Sequence, residues 1–88
     1  MNFLKFDIGV LGIGRVVEVT LSGDAANVRL LDEENMYAYS RGRSFDFIGG
    51  KATKSPVILK TPSYAHWYVV VDMAGGLEGE VDAKVKVV

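Results

Sequence analysis

The stretch TPSYAHWYVVVDMAGG, residues 61–76, carries the only histidine and the only tryptophan of the chain side by side, followed by a tyrosine and three valines. Successive side chains of a β-strand point to opposite faces of its sheet. One face of a strand here would carry only apolar side chains: Trp67, Val69, Val71 and Met73. The other face would carry a mixed row: His66, Tyr68, Val70 and Asp72. The stretch therefore predicts a central strand of a β-fold that buries Trp67 and separates it from His66.

The same period-two alternation recurs along most of the chain. Apolar residues alternate with polar ones, or form short runs bounded by turn residues, in the segments 2–8, 15–23, 27–32, 44–50, 56–61 and 81–87. Short strands separated by turn signals every 8 to 12 residues or so are typical of a β-sandwich or barrel. We favour an all-β, mainly antiparallel β-sandwich of about seven short strands, forming a single domain over residues 1–88.

The connections between these segments are also predictable. Gly23-Asp24-Ala25-Ala26 is short enough for a hairpin between its two flanking strands. In SFDFIGG, residues 44–50, Phe45 and Phe47 would share one face of a strand that Gly49-Gly50 ends. The glycine-rich GVLGIG, residues 9–14, predicts a loop or bulge between two strands.

Residues 33–41 break the alternation and predict one short helix. Asp32 suits the N-cap, and Gly42 suits the left-handed position after the last turn. Met36 and Tyr39 would share one side of this helix. We expect the helix to cap an open end of the sandwich or to cover an edge strand.

Composition limits the function classes. The formal net charge of −1 gives no general attraction to nucleic acid or to anionic membranes, so we expect neither nucleic acid nor a membrane as a partner. The absence of cysteine excludes disulfides, thiolate metal ligands and a cysteine nucleophile. Because the N-terminal residues also lack the pattern of a signal peptide, we expect a cytoplasmic protein.

No sequence motif indicates a cofactor or a metal. GVLGIG lacks the glycine spacing of dinucleotide-binding loops, and a strand follows it where those loops need a helix. GGKAT, residues 49–53, resembles the end of a phosphate-binding P-loop, but it has Phe45 and Ala52 where that motif needs glycine and serine or threonine. With one histidine and no cysteine, we expect neither a metal nor a cofactor.

The segment 37–54 is the first candidate for a binding surface. It combines four basic residues, Arg41, Arg43, Lys51 and Lys54, with aromatic residues and one acid. Basic and aromatic side chains together bind anionic ligands through charge and stacking. The alternative is that the phenylalanines belong to the core and the basic groups only solvate a loop and a helix end. The candidate site combines this segment with the start of the His-Trp strand: Tyr37, Arg41, Arg43, Lys51, Lys54, Tyr64 and His66.

His66 itself has two interpretations. A single histidine at the start of a strand usually makes a hydrogen bond to a neighbouring loop. Alternatively it faces a ligand and acts as the general base of a small hydrolase or lyase, with Asp72, Asp46 or another carboxylate orienting the ring. No serine lies in a nucleophile-elbow context, so we assign no catalytic residue.

The C-terminal segment DAKVKVV reads as an edge strand. Lys84 and Lys86 would lie on its solvent face, where lysines oppose pairing with the edge of another sheet. We therefore expect a monomer or a weak dimer.

Three segments, ANVRLLD (26–32), RGRSFDFIGG (41–50) and SPVILKTPSYAHWYVVVDMAG (55–75), resemble a small bacterial family, the domain of unknown function 1883. The resemblance covers nearly the whole chain. It implies a short stand-alone protein, or a module joined to signalling domains of the Toll/interleukin-1-receptor type, and it carries over no catalytic or ligand-binding residue. Our main hypothesis is a non-enzymatic module that binds a small anionic ligand or a protein partner, as the sensing half of a signalling system.

Overall fold

The computed structural model describes residues 3–88 and contains seven strands and one helix. In chain order the elements are β1 (Phe3–Leu11), β2 (Val16–Gly23), β3 (Ala26–Asp32), α1 (Glu33–Ser40), β4 (Ile48–Ala52), β5 (Val57–Lys60), β6 (Ala65–Asp72) and β7 (Val81–Val87). All strand pairs are antiparallel. The predicted fold class, a seven-stranded antiparallel sandwich with one short helix, is confirmed.

The strands form two sheets that pack face to face. The first sheet has the order β1-β6-β3-β4 and the second has the order β5-β2-β7. Apolar side chains from both sheets form the core between them: Leu11, Val17, Val19, Ala26, Val28, Leu30, Leu59, Trp67, Val69 and Val71. Removal of these side chains from water is the main favourable contribution to folding. The alternation seen in the sequence thus assigns the inner faces correctly.

β6 is a central strand, as its sequence predicts. It pairs with β1 along one edge and with β3 along the other. Trp67, Val69 and Val71 are almost completely buried between the sheets. The opposite row of β6 lies on the outer face of the first sheet, where α1 also packs.

The edge strand β1 contains a β-bulge and ends in a turn that is held by hydrogen bonds. Gly9, with a φ of 80°, forms a bulge that shifts the register with β6 between Asp7 and Gly9. A positive φ of this size favours glycine, which has no Cβ to clash with the backbone. The turn that follows is fixed by Thr61, whose hydroxyl donates to the Gly12 carbonyl and accepts from the Arg15 amide. The sequence predicts a loop or a bulge at residues 9–14, and the structure has a bulge at Gly9 and a turn after Leu11.

The helix begins and ends where its sequence predicts. The Asp32 side chain accepts a hydrogen bond from the Asn35 amide, and Gly42 follows the last turn with a φ of 68°. Met36 and Tyr39 are both buried. The expected location was wrong, however, because α1 lies over the two central strands β3 and β6 and not over an end or an edge. An eight-residue helix of this kind is too short to cross a bilayer.

Two other expectations are corrected. β2 and β3 belong to different sheets, so residues 23–26 carry the chain across the sandwich and form no hairpin. Residues 43–47 are not a strand; β4 begins at Ile48 and contains both Gly49 and Gly50. Gly49, with a φ of 111°, lies against the Val28 carbonyl at a place where a Cβ would collide with it. Gly49 therefore permits close pairing of β4 with β3, and neither glycine ends the strand.

Candidate functional site

A buried polar network lies on the outer face of the first sheet and is centred on Asp72. Its carboxylate accepts hydrogen bonds from the Tyr39 hydroxyl at 2.6 Å, the Asn27 amide at 2.7 Å, the Ala74 backbone N–H at 3.1 Å and the Arg29 Nε at 3.2 Å. Burial raises the pKa of Asp72, but these hydrogen bonds lower the pKa by more, so it lies below its ordinary value. The network joins α1 to β3 and β6.

Arg29 completes this network and reaches towards the surface. Its guanidinium lies 4.6 Å from the ring centroid of Phe47 and 5.5 Å from that of Phe45. Its charge is paired with Asp72, whose side chain is fully buried. Phe45 packs in turn edge-on against Tyr39, with the ring centroids 5.0 Å apart. The alternative that the phenylalanines belong to the core therefore holds for Phe45, which packs under α1, and not for Phe47, which is exposed. Both side chains leave a loop and not a strand.

Three of the predicted basic residues lie at one end of this outer face. Arg41 is the C-cap residue of α1, and the Arg43 backbone N–H donates to the Ala38 carbonyl, at the end of the same helix. Lys51 of β4 pairs with Asn27, whose side chain binds Asp72. Because paired residues of neighbouring strands share a face, Lys51 lies on the helix-bearing side. We call these three exposed side chains the basic surface.

Two more of the candidate residues lie at or near the basic surface. The exposed ring of Tyr37 lies under the Arg41 guanidinium, with 4.9 Å between the guanidinium carbon and the ring centroid. Lys54 follows β4 in a turn and lines a small cavity of about 60 Å³ together with Asp24. Lys54 therefore faces the end of the sandwich and not the helix.

The last two candidate residues lie at the opposite end of the first sheet. His66 is at the start of β6, and its Nε2 donates to Asp7 of β1 at 2.6 Å. Its Nδ1 lies 3.7 Å from the Glu33 carboxylate, at the start of α1. Tyr64 precedes β6 in a loop and is 77% exposed. The structure therefore divides the candidate residues between two ends of the molecule.

The immediate surroundings of His66 are polar and open. The ring stacks on Tyr68, with centroids 4.8 Å apart and an interplanar angle of 13°. The hydrogen bond from His66, helped by one from the Gly9 amide, lowers the pKa of Asp7. Burial of the Tyr68 hydroxyl, together with the charges of Asp7 and Glu33, raises the pKa of that tyrosine. The carboxylate beside His66 is thus Asp7, and neither Asp72 nor Asp46 takes that place.

A cavity of about 270 Å³ opens at the same end of the sandwich, and we call it the end cavity. Its walls combine apolar and polar side chains: Leu30, Asp32, Asn35, Asp46, Phe47, Ile48, Pro62, Ser63 and Trp67. The Asp46 backbone N–H donates to the Asn35 side chain at 2.8 Å, and the Trp67 indole N–H donates to the Ser63 carbonyl at 3.1 Å. These bonds hold three separate chain segments around the opening.

Sequence reasoning missed the end cavity because its residues come from β3, α1, β4, β6 and two loops. Asp32, Asp46, Phe47 and Trp67 were each noted in the sequence, but for other roles, and Trp67 was correctly assigned to the core. Asp7 and Glu33 as the neighbours of His66 were missed for the same reason, since they become neighbours only through strand pairing and helix packing. Within residues 3–88, no group of three or more histidine, aspartate or glutamate side chains is arranged to hold a metal ion.

The family comparison matches the sequence reading. The family model described as "Domain of unknown function (DUF1883)" matches residues 1–88, which confirms the resemblance seen in the sequence. No curated protein and no solved structure matches the chain significantly.

Proposed function

We propose that this chain, which belongs to the DUF1883 family, is a non-enzymatic binding module whose basic surface contacts a small anionic ligand or an anionic partner. One observation supports this most directly: Arg41 and Arg43 of the connection after α1 and Lys51 of β4 are all exposed at one end of a single face. Clustered cations raise the local concentration of an anion even when the net charge is close to zero.

The surroundings of the basic surface support the same proposal. The acid of the network on this face, Asp72, is buried and already paired with Arg29. It therefore offers little charge to the surface. Tyr37 is exposed, and its ring already lies against the Arg41 guanidinium. An anion with a flat ring system would find both charge and a stacking partner there.

The test compares two pairs of charge-removing substitutions. Binding of a short polyglutamate peptide, ATP and a single-stranded oligonucleotide would be measured by thermal shift and by titration at low and moderate salt. Arg41→Gln with Arg43→Gln should abolish binding of whichever probe stabilises the wild type. Lys84→Gln with Lys86→Gln removes the same charge from the edge strand β7 in the other sheet and should leave binding unchanged. Equal loss in both pairs, or no binding of any anion by the wild type, would contradict the proposal.

The second candidate is a small hydrolase or lyase with His66 as general base. The 2.6 Å contact with Asp7 favours it, since a carboxylate orients an imidazole in this way. Against it, both ring nitrogens face carboxylates, and His66 lies outside the walls of the end cavity. Hydrolysis of p-nitrophenyl acetate that disappears in His66→Ala, and persists in the Tyr64→Ala control, would favour the enzyme over the binding module.

The cellular setting follows as part of the same proposal. We propose a cytoplasmic monomer or weak dimer that acts as the sensing half of a signalling system. The absence of cysteine and the lysines on the edge strand β7 support this picture. Light scattering coupled to size-exclusion chromatography tests the oligomeric state, and a stable higher oligomer would contradict it.

A further inference from the structure

We infer that the end cavity is a docking site for an arginine side chain of a protein partner. This site lies at the opposite end of the first sheet from the basic surface, so it does not depend on the proposed function. Its floor is apolar, with Leu30 and Trp67 almost completely buried. Asp32 and Asp46 are the two acidic residues among those that line it.

The size of the end cavity favours a side chain over a whole ligand molecule. Pockets for drug-sized ligands usually enclose about 300 to 1,000 Å³. The end cavity, at about 270 Å³, falls just below this range. It therefore suits one long side chain inserted from outside.

The charge of the walls favours a cationic side chain. Asp32 uses one carboxylate oxygen, Oδ1, to accept both hydrogen bonds from Asn35, each 2.9 Å long. The ion pairs found among residues 3–88 involve Asp72, Asp7 and Glu33, so neither Asp32 nor Asp46 has a cationic partner within that part of the chain. An inserted cation would supply the missing charge.

The apolar walls favour arginine over lysine. A guanidinium is planar, stacks on aromatic rings and can donate two parallel hydrogen bonds to one carboxylate, whereas an ammonium is a strongly hydrated point charge. Phe47 and Trp67 supply aromatic surface beside the carboxylates. Aromatic surface beside acidic residues suits a bound group that is both flat and positively charged, as a guanidinium is.

The rim favours a protein as the source of the arginine. Phe47 is 41% exposed, and Tyr64, which adjoins Ser63 of the cavity wall, is 77% exposed. Ile13 is 75% exposed at the same end. It lies in the turn between β1 and β2, which the Thr61 hydroxyl contacts through the Gly12 carbonyl. Exposed apolar side chains grouped around a pocket mark a site of protein–protein interaction.

The direct test is a titration followed by nuclear magnetic resonance of the Trp67 indole N–H in the full chain. Acetyl-arginine amide, which mimics an arginine within a peptide, should shift this signal saturably. Acetyl-citrulline amide has nearly the same shape without the charge and should not. Equal shifts with citrulline would overturn the inference, as would no shift with the arginine probe or an equal response to acetyl-lysine amide. If free arginine bound more tightly than acetyl-arginine amide, the ligand of the cavity would be a free amino acid. This result would overturn the inference that the arginine belongs to a protein partner.

Two substitutions complete the test. Asp46→Asn keeps the backbone hydrogen bond to Asn35 and should weaken binding of the arginine probe on the order of tenfold, which corresponds to about 1.4 kcal/mol. Asp82→Asn, on the exposed face of β7, is the matched control and should change nothing. The Arg41→Gln, Arg43→Gln pair should also retain binding of the arginine probe, so this inference and the proposed function fail separately. Unchanged binding in Asp46→Asn would overturn the role of that carboxylate.

Discussion

Asp72 and His66 lie on the same face of the same strand, yet their surroundings differ sharply. Asp72 is 1% exposed and receives four hydrogen bonds. The His66 side chain is 30% exposed, and its two carboxylate partners are more exposed still. The Asp72 end of this row is buried, while the His66 end remains accessible to solvent and to a partner.

The helix causes this difference. α1 starts beside His66 and runs over β3 and β6 towards Asp72, where Tyr39 of its last turn enters the network. The helix therefore buries the far end of the row and leaves its beginning uncovered. Polar residues in one alternating row can thus either form a buried hydrogen-bond network or stay exposed on the surface. Which of the two occurs depends on whether the helix packs over them.

The largest effect should come from Asp72→Ala. Removal of one partner of a buried ion pair costs about 3–5 kcal/mol, because the other charge remains buried without compensation. Arg29 would be that charge. Urea denaturation of the wild type and the variant measures the loss of free energy of unfolding. Asp72→Asn, which keeps the side-chain volume, should lose less. A loss below about 1 kcal/mol in both variants would mean that the network does not stabilise the fold.

Acidification should reproduce part of this loss. Since the folded pKa of Asp72 lies below its unfolded value, the unfolded chain takes up a proton first as the pH falls. The stabilisation is therefore complete above about pH 5 and is lost progressively from about pH 4 downwards. The difference in free energy of unfolding between wild type and Asp72→Asn should narrow over this range. A constant difference down to pH 2 would contradict the role of Asp72.

Tyr39→Phe should have a smaller effect. It removes one hydrogen bond to a charged group, and such bonds contribute about 1.5–3 kcal/mol. Burial and the neighbouring Asp72 both raise the pKa of Tyr39, so its hydroxyl stays protonated and donates at any ordinary pH. Tyr37→Phe on the exposed side of the same helix is the matched control and should leave the urea midpoint unchanged. Equal midpoints for the two variants would show that the Tyr39 hydroxyl does not matter.

The smallest effect on stability should come from His66→Gln. The ring is partly exposed and its partners are surface carboxylates, and exposed ion pairs of this kind stabilise little. We expect a change in the urea midpoint near the limit of detection. A loss as large as that of Asp72→Asn would show that both ends of the row are structural, which would remove the contrast between them.

The faces of the strands could be predicted because alternation is a local property. Val17 and Val19, or Val28 and Leu30, are identified as core by their neighbours in sequence alone. The limits of α1 were predictable for the same reason, since Asp32 and Gly42 act on adjacent backbone groups.

The errors concern which strands meet. The turn residues 23–26 suit a hairpin, but the inner faces of β2 and β3 instead pack against each other from opposite sheets. Gly49 has the sequence signature of a strand end, yet the close approach of the Val28 backbone makes it part of β4. Such choices depend on tertiary contacts that no short window of sequence contains.

The candidate site was predictable only in part. The basic residues of segment 37–54 were found because they are close in sequence, and three of them also lie together in space. The end cavity was missed, because Asp32, Asp46 and Trp67 carry no shared motif. Convergence of residues from distant segments is a consequence of the sheet order.

That sheet order also determines how the chain folds. Of the consecutive strand pairs within residues 3–88, β3 and β4 alone are neighbours in a sheet, and they are separated by the helix. β1 pairs with β6, and β2 pairs with β5 and β7, so the partners of both strands come much later in the chain. Such non-local pairing is slow, typically on the order of milliseconds to seconds. The apolar inner faces of β1 and β2 therefore stay exposed during folding until these later strands have joined them.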